Sequence, residues 1–341
     1  DNFFGLGGDS ILAIQAAGRA RDAGIAFTPR QLFEHQTVAE LAPVADRATQ
    51  KSESEGPAGA DVPLTPIQQW FLEQGFSRPN HWNQAVLLEL EVTLDWPALA
   101  RAAEHLVLHH DALRMRLVRD AQGWHQTVAP KELLTICHRE DLSAVPEAGR
   151  PAAIEEACSR WQAGLNLNDG PIMRTVWFDL GEEQKPRLLI VIHHLAVDGV
   201  SWRILLEDLQ RAYAQLVKGE AVTLPSKTTS FKRWAESLQT LARSESLQQE
   251  AAHWLATVSA GAARLPMDFP EGSLQEGDTA RRRVDLSETE TRALLREAPN
   301  AYRTGVDGLL LAALARTLCT WRGSDSVAID LESHGREALF G

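Results

Sequence analysis

Two adjacent histidines close an apolar run in "LLIVIHHLAVDGVSWRILLEDL", residues 188–209, and Asp198 and Gly199 follow within the next few positions. Imidazole exchanges protons near neutral pH, so a histidine at the edge of a cavity can move a proton to or from a bound molecule. Side chains of a strand alternate between its two faces. Leu188, Ile190, Ile192 and His194 therefore share one side, and Leu189, Val191 and His193 share the other. Only one of the two histidines can face a given cavity. His193 reads as a framework histidine, satisfied inside the fold. His194 precedes the turn made by Asp198 and Gly199, and such strand ends are where α/β folds commonly place chemistry.

A second candidate lies near the other end, in "FFGLGGDSILAIQ". Ser10 follows two glycines and Asp9 at the start of a helical pattern. Two readings stand open from the residues alone. Ser10 is the cap of that helix, or its hydroxyl is left exposed where a helix N-terminus favours a phosphate. Asp9 is an acidic neighbour under either reading. A decoy of the histidine pair occurs in "HHDALRMR" (109–116). It lacks a downstream Asp-Gly, falls at a helix end and reads as structural.

The elements that must position these residues fall into three regimes. Over 1–47, Leu12, Ala13, Ala16, Ala17 and Ala20 make a stripe at helical spacing from Ser10, and Gly24 closes the run. Further helices are predicted over 29–35 and 38–46. Residues 48–61, "ATQKSESEGPAGAD", have the small, polar, Gly- and Pro-containing make-up of a flexible linker. Beyond them strands and helices alternate. "QAVLLELEV" (84–92) alternates as a strand, and 96–113 follows as a helix. The nearly continuous apolar run at 186–194 predicts a strand buried on both faces. A strong helix is expected over 201–220, with Ser201 as its N-cap, Leu205, Leu209, Ala212 and Leu216 as its stripe, and Gly219 at its end. A linker-like region at 265–283 precedes a capping box, Ser287 and Glu290, that opens another helix. The body is α/β or α+β in two lobes.

Composition narrows the partners. The chain has 34 basic and 46 acidic residues and a net charge of −12, which speaks against nucleic acid. Its one basic cluster, Arg281, Arg282 and Arg283, is too short to change that. Cys137, Cys158 and Cys319 stand far apart without metal-ligand spacing and read as free thiols of a reducing compartment. No metal site is expected. No apolar stretch approaches the ~20 residues needed to span a bilayer, and the chain starts without a signal peptide. The expectation is a cytoplasmic protein with no membrane partner.

Residues 1–47, with "DNFFGLGGDSI" at their head, resemble the peptidyl carrier domain of nonribosomal peptide synthetases, whose signature is close to "DNFFxLGGDSL". Ile11 replaces the usual leucine, and the helix that precedes the signature in that family does not precede it here. The resemblance implies a 4′-phosphopantetheine arm held covalently on Ser10, beside Asp9. "HHLAVDG" (193–199) fits the HHxxxDG pattern of the condensation-domain superfamily, whose two lobes resemble chloramphenicol acetyltransferase. The implied fold class is a small all-α carrier domain plus an α/β two-lobed chloramphenicol-acetyltransferase-like domain, its second lobe truncated. The expected division is a carrier over 1–47, a linker over 48–61, an N-terminal lobe over 62–225 and the start of a C-terminal lobe over 226–341.

Several stretches resemble the epimerization branch of that superfamily. They are "PLTPIQQWFLEQ" (63–74), "HWNQAVLLE" (81–89) with Asn83 and Gln84, "VSWRILLEDL" (200–209), "AYRTGVDGLLLAALARTL" (301–318) and "DLESHGREAL" (330–339). In the last, close to "EGHGRE", Ser333 replaces the usual glycine; Gly308 is a departure in the one before it. By this resemblance His194 lies in a tunnel between lobes. Asp198 holds the loop through a salt bridge, and His193 and Gly199 are structural. An aminoacyl or peptidyl thioester on the Ser10 arm would be inverted from L to D. Glu332 would serve one face of the α-carbon and His194 the other, or His194 would stabilise the developing enolate oxygen, or Glu332 alone would serve both faces. The implied partners are the adenylation and condensation domains of the same assembly line and a phosphopantetheinyl transferase; the family does without metal or pyridoxal. Two alternatives remain: a condensation domain forming a peptide bond, with His194 acting on an acceptor amine, and a non-catalytic module that docks the carrier.

Overall fold

A strand that is apolar on both faces needs helices on both sides, and this chain supplies them. The computed structural model describes residues 1–47, 59, 61–91, 94–131, 135–181, 184–261, 265–272, 275–332, 335 and 339. These divide into two compact units, one of Asp1–Ala242 together with the described residues 335 and 339, and one of Arg243–Ser333.

The N-terminal part of the first unit is helical. It holds α1 (Ser10–Asp22), α2 (Pro29–Glu34) and α3 (Val38–Leu41), tied by two short paired strands, β1 (Ile25–Ala26) and β2 (Asp46–Arg47). Gly24, at φ +84°, takes the left-handed conformation that ends α1. The helix predicted over 38–46 stops sooner than expected and continues as a 3₁₀ turn over Ala42–Val44. Pro43 has no N–H to continue the α pattern there.

Of the expected linker, 48–58 and 60 lie outside the described residues. Its last residues already belong to the next layer. Gly59 N–H donates to Val128 O (3.0 Å), Asp61 bridges Thr127, and Val62 N–H donates to Gln126 O (2.8 Å). The body then runs α4 (Pro66–Glu73), β3 (Asn83–Glu89), α5 (Trp96–His109), the hairpin β4 (Met115–Asp120) and β5 (Gly123–Val128), and β6 (Cys137–Asp141). It continues with α6 (Arg150–Gln162), β7 (Met173–Asp179), β8 (Arg187–His193), α7 (Gly199–Val217) and α8 (Phe231–Ala242). Among the described residues β3, β8, β7 and β6 form one sheet in that order, with β8 antiparallel to both neighbours and β6 parallel to β7.

One face of the sheet packs Leu188, Ile190 and Ile192 of β8 with Met173 and Trp177 of β7 against Leu99, Leu106, Leu205 and Leu209 of α5 and α7. The other face packs Leu189, Val176 and Phe178 against Ile154 and Ala157 of α6. This double cover explains why 186–194 reads as an unbroken apolar run. The 96–113 helix ends earlier than expected, at His109, because His110 turns extended (φ −92°, ψ 109°) and a 3₁₀ turn over Asp111–Arg114 follows.

The second unit contains α9 (Glu245–Gly261), α10 (Glu288–Arg292), α11 (Ala298–Tyr302) and α12 (Val306–Arg322). Ser287 and Glu290 form both halves of the expected capping box. A π turn over Ala293–Glu297 widens the helix just ahead of Pro299, whose ring would otherwise strike a carbonyl one turn back. Cys137, Cys158 and Cys319 are free thiols. Among the described residues no helix is long and apolar enough to cross a membrane.

Ile190 is buried at the centre of the larger cluster. Truncation there leaves a cavity between helices that cannot close over it, so Ile190→Ala should cost about 2–5 kcal/mol. Urea denaturation would read this as a lowered midpoint at unchanged slope; an unchanged midpoint would refute the layered packing.

Candidate functional site

The paired histidines separate as the strand period requires. His193 ends β8 and is fully buried on the face turned away from α7. Its Nε2–H donates to Pro79 O (2.8 Å), its Nδ1 accepts from Leu195 N–H (3.2 Å), and its ring meets Phe71 edge-on at 5.9 Å. Burial pushes its pKa down to about 4, with the neighbouring His194 adding to the effect. It is a neutral framework group.

His194 lies just beyond the strand and is half-buried. Its backbone N–H donates to Trp82 O at 2.9 Å. Its ring Nδ1 is 3.0 Å from Val197 O, and its Nε2 is 3.3 Å from the side-chain nitrogen of Gln84. The oxygen of that same amide accepts from Trp202 Nε1–H at 2.8 Å. Gln84 reaches the ring because β3 pairs with β8 in a register that sets Gln84 opposite Ile192, on the α7 side. Trp202 arrives from the first turn of α7.

Asp198 caps that helix. Its carboxylate accepts from Ser201 N–H and Ser201 Oγ–H, both at 2.6 Å, and its carbonyl accepts from Trp202 N–H at 3.1 Å. The N-cap expected at Ser201 is therefore corrected. Asp198 has the extended backbone of a cap (φ −133°, ψ 178°), and Ser201 sits inside the first turn. Capping is one contact through which Asp198 anchors the loop. Gly199 opens the helix, and a Cβ added there would meet no atom within 4 Å.

The decoy pair does other work. His110 Nε2 lies 2.9 Å from Asp208 Oδ2 on α7. Buried Arg114 donates to Val107 O and Leu108 O at 2.8 Å and to Ala129 O at 3.2 Å, fastening the end of α5 to the hairpin. Among the described residues His109, His110 and Asp208 are the group whose metal-ligand atoms lie together, within 4.8 Å of one another.

Ser10 is the first residue of α1, and the cap is Asp9, whose carboxylate accepts Leu12 N–H at 2.7 Å. Of the two readings of Ser10, that of a helix cap is thus displaced by its neighbour. Gly7 adopts φ +94°, and a Cβ on Gly8 would lie 2.4 Å from the Phe3 ring. Both glycines are thus required by the backbone that leads into α1. Ser10 opens a 13-residue helix, whose N-terminal end favours a phosphodiester, with the Asp9 cap as its acidic neighbour. The residues present fit a phosphopantetheine attachment. Glu332 belongs to the second unit, where it is exposed in an irregular segment after α12. Residues 333, 334 and 336–338 of its motif lie outside the described residues.

The structure thus brings His193, His194, Asp198 and Gly199 together around the end of β8, with Ser10 on the helical domain and Glu332 in the other unit. It adds Gln84 and Trp202, to which the sequence alone gives no role. The signal available for them is their place in the two stretches "HWNQAVLLE" and "VSWRILLEDL".

Comparison with known proteins gives two family matches, a Condensation domain over residues 59–339 and a Phosphopantetheine attachment site over residues 1–43. The latter domain carries covalently attached 4′-phosphopantetheine. A linear gramicidin synthase of Brevibacillus parabrevis is 49% identical over 348 residues, covering 100% of this chain and 4% of that protein. Chondramide synthase cmdD of Chondromyces crocatus is 45% identical over 343 residues, 99% of this chain and 9% of that one. The chain thus spans a small fraction of the length of these relatives. Among solved structures, the epimerization domain from the third module of tyrocidine synthetase B is similar at 36% identity and a TM-score of 0.75. That match covers 84% of this chain and 65% of that one.

The low proton affinity of His193 has a consequence for stability. Below its ordinary pKa of 6.5 the unfolded chain takes up a proton that the folded chain refuses until about pH 4. Stability should therefore fall as pH drops from 6.5 to about 4, by about 3 kcal/mol from this residue. His193→Gln keeps a donor for Pro79 O and should flatten that part of the curve in urea titrations at a series of pH values. Parallel curves for the two proteins would remove His193 as the source.

Proposed function

The chain belongs to the Condensation domain family, and from that premise we propose that it epimerizes an aminoacyl or peptidyl thioester carried on Ser10, within nonribosomal peptide synthesis. The observation that carries this reading is the presentation of His194, half-buried at a strand end and held through both ring nitrogens. The likeness to an epimerization domain at 36% identity supports it, as does the "DLESHGREAL" stretch around Glu332. The domain limits in this reading are a carrier over 1–47 and a catalytic domain from 62, its N-terminal lobe ending at 225.

Attached through its phosphate, the arm presents the acyl group as a thioester, whose carbonyl accepts negative charge better than an ester or amide. The α-proton then becomes removable by a side-chain base within ~3 Å. Inversion breaks the α C–H bond on one face, passes its electron pair toward the carbonyl, and remakes the bond with a proton delivered to the other face. One proton is taken and one returned, so no external reductant or oxidant enters. Glu332 exchanges the proton on one face, and His194 serves the other. Asp198 and Gly199 set the loop that carries His194, and His193 fixes the strand beneath it. Adenylation and condensation domains of the same assembly line would supply and consume the acyl group, and a phosphopantetheinyl transferase would modify Ser10.

The test loads Ser10 with an L-aminoacyl pantetheine in deuterated water, releases the acyl group and reads α-deuterium and chirality. Deuterium uptake with a D and L mixture is expected. Glu332→Gln should lower exchange on the order of 100-fold or more, the scale of general acid–base catalysis, while loading persists. Ser10→Ala should abolish loading itself. Retained L configuration without deuterium would overturn the proposal and leave peptide-bond formation or carrier docking, which an amine-acceptor assay separates.

A further inference from the structure

We propose that Gln84 and Trp202 are positioning residues that hold His194 neutral, with its proton on Nδ1 and a lone pair on Nε2. The inference rests on the reading of His194 as a proton-handling group and assigns the state in which it enters the reaction.

The argument starts from the one group in the chain of contacts that has no choice. An indole nitrogen can only donate. Trp202 Nε1–H points at the side-chain oxygen of Gln84 at 2.8 Å, so that oxygen is the acceptor and the amide must turn its NH₂ the other way. The NH₂ group then faces His194 Nε2 at 3.3 Å. An amide NH₂ cannot accept, so Nε2 has to be the unprotonated nitrogen. The proton therefore sits on Nδ1, where Val197 O waits as an acceptor at 3.0 Å. Each contact forces the next.

Placing a second proton on Nε2 would set N–H against N–H. Relief would require the amide to turn over, which would strand the Trp202 donor against the same NH₂ group. In the observed arrangement Nε2 presents its lone pair, and His194 enters as a proton acceptor at that nitrogen. The Gln84 contact is long for a hydrogen bond, so a substrate hydrogen can take its place at the lone pair. Asp198, the nearby carboxylate, is engaged with Ser201 N–H and Oγ–H.

The arrangement follows from topology. Gln84 is brought to His194 by the β3–β8 register, 110 residues apart in sequence, and Trp202 is brought to Gln84 by the start of α7, 118 residues apart. Neither residue reaches the reacting carbon in this role; both act through the imidazole.

The test is the tautomer itself, read by ¹⁵N–¹H correlation of the intact protein with labelled histidine, without substrate and near neutral pH. His194→Gln assigns the signal. The expected wild-type pattern is a neutral ring protonated at Nδ1. Gln84→Glu offers oxygen to both Trp202 and Nε2 and should convert His194 to the doubly protonated ring, with α-deuterium exchange falling on the order of 10- to 100-fold. Trp202→Phe frees the amide to rotate and should give a mixture of the two neutral tautomers; it serves as a second reading if Gln84→Glu does not fold. A wild-type ring protonated at Nε2, or an Nδ1–H pattern unchanged in both variants, would overturn the inference. Because this spectrum needs no turnover, it can fail while deuterium exchange stands, and exchange can fail while the tautomer stands.

Discussion

The pairing of β3 with β8 sets Asn83 opposite His193 and Gln84 opposite Ile192, and the rest of the site is built on that register. Strand side chains alternate with a period of two, so a slip by one residue would send every side chain to the opposite face. Such a slip would place Leu189 and Val191 against α5 and α7, bury His194 beside Phe71 of α4 and turn His193 to the side of α7. Burial of Leu188, Ile190 and Ile192 in one cluster and of Leu189 in another guards against it. Each cluster is held by helices on its own side, so the cost of a slip falls on both layers together. The position of His194 is therefore set by apolar burial, well before any polar contact is made.

Polar contacts then refine what packing has placed. His193 and His194 are chemically identical and adjacent in the chain, yet their surroundings pull them apart. His193 is dry, with one carbonyl to donate to and one amide to accept from, and desolvation keeps it neutral down to about pH 4. His194 keeps part of its ring open, and its nitrogens meet a carbonyl and an amide nitrogen. Alternation alone sorts the buried histidine from the half-buried one when the strand between two helix layers ends at that point.

Much of this is legible in the chain, and the exceptions have physical reasons. The run at 186–194 announces a strand covered on both faces because its centre, residues 188–192, is apolar on both sides. The alternation argument assigns His193 and His194 to their faces for the same reason. Helix starts are less legible where aspartate and serine compete. At Asp9 and Ser10, and again at Asp198 and Ser201, the aspartate takes the extended backbone and accepts the first free N–H, leaving the serine inside the first turn. Composition cannot rank the two, because both are good caps. Gln84 and Trp202 stand out in the sequence only as parts of longer patterns, since their meeting depends on contacts across 110 and 118 residues. Glu332 draws its role from resemblance alone; as an exposed glutamate in an irregular segment it would otherwise read as a solvated charge.

The loop from His194 to Gly199 joins these levels. Asp198 starts α7, and in doing so it fixes the direction of the peptide that carries the Val197 carbonyl, the acceptor for the His194 ring. The same cap places Trp202 one turn into the helix, with its indole aimed back at Gln84. One carboxylate therefore anchors both ends of the contact chain that passes through the imidazole, although it touches neither ring nitrogen. The aspartate stands four residues after the histidine, and at that spacing both contacts are made. The Asp-Gly pair that follows the histidines is best understood as the device that begins a helix at the one place from which its first turn can steady the imidazole.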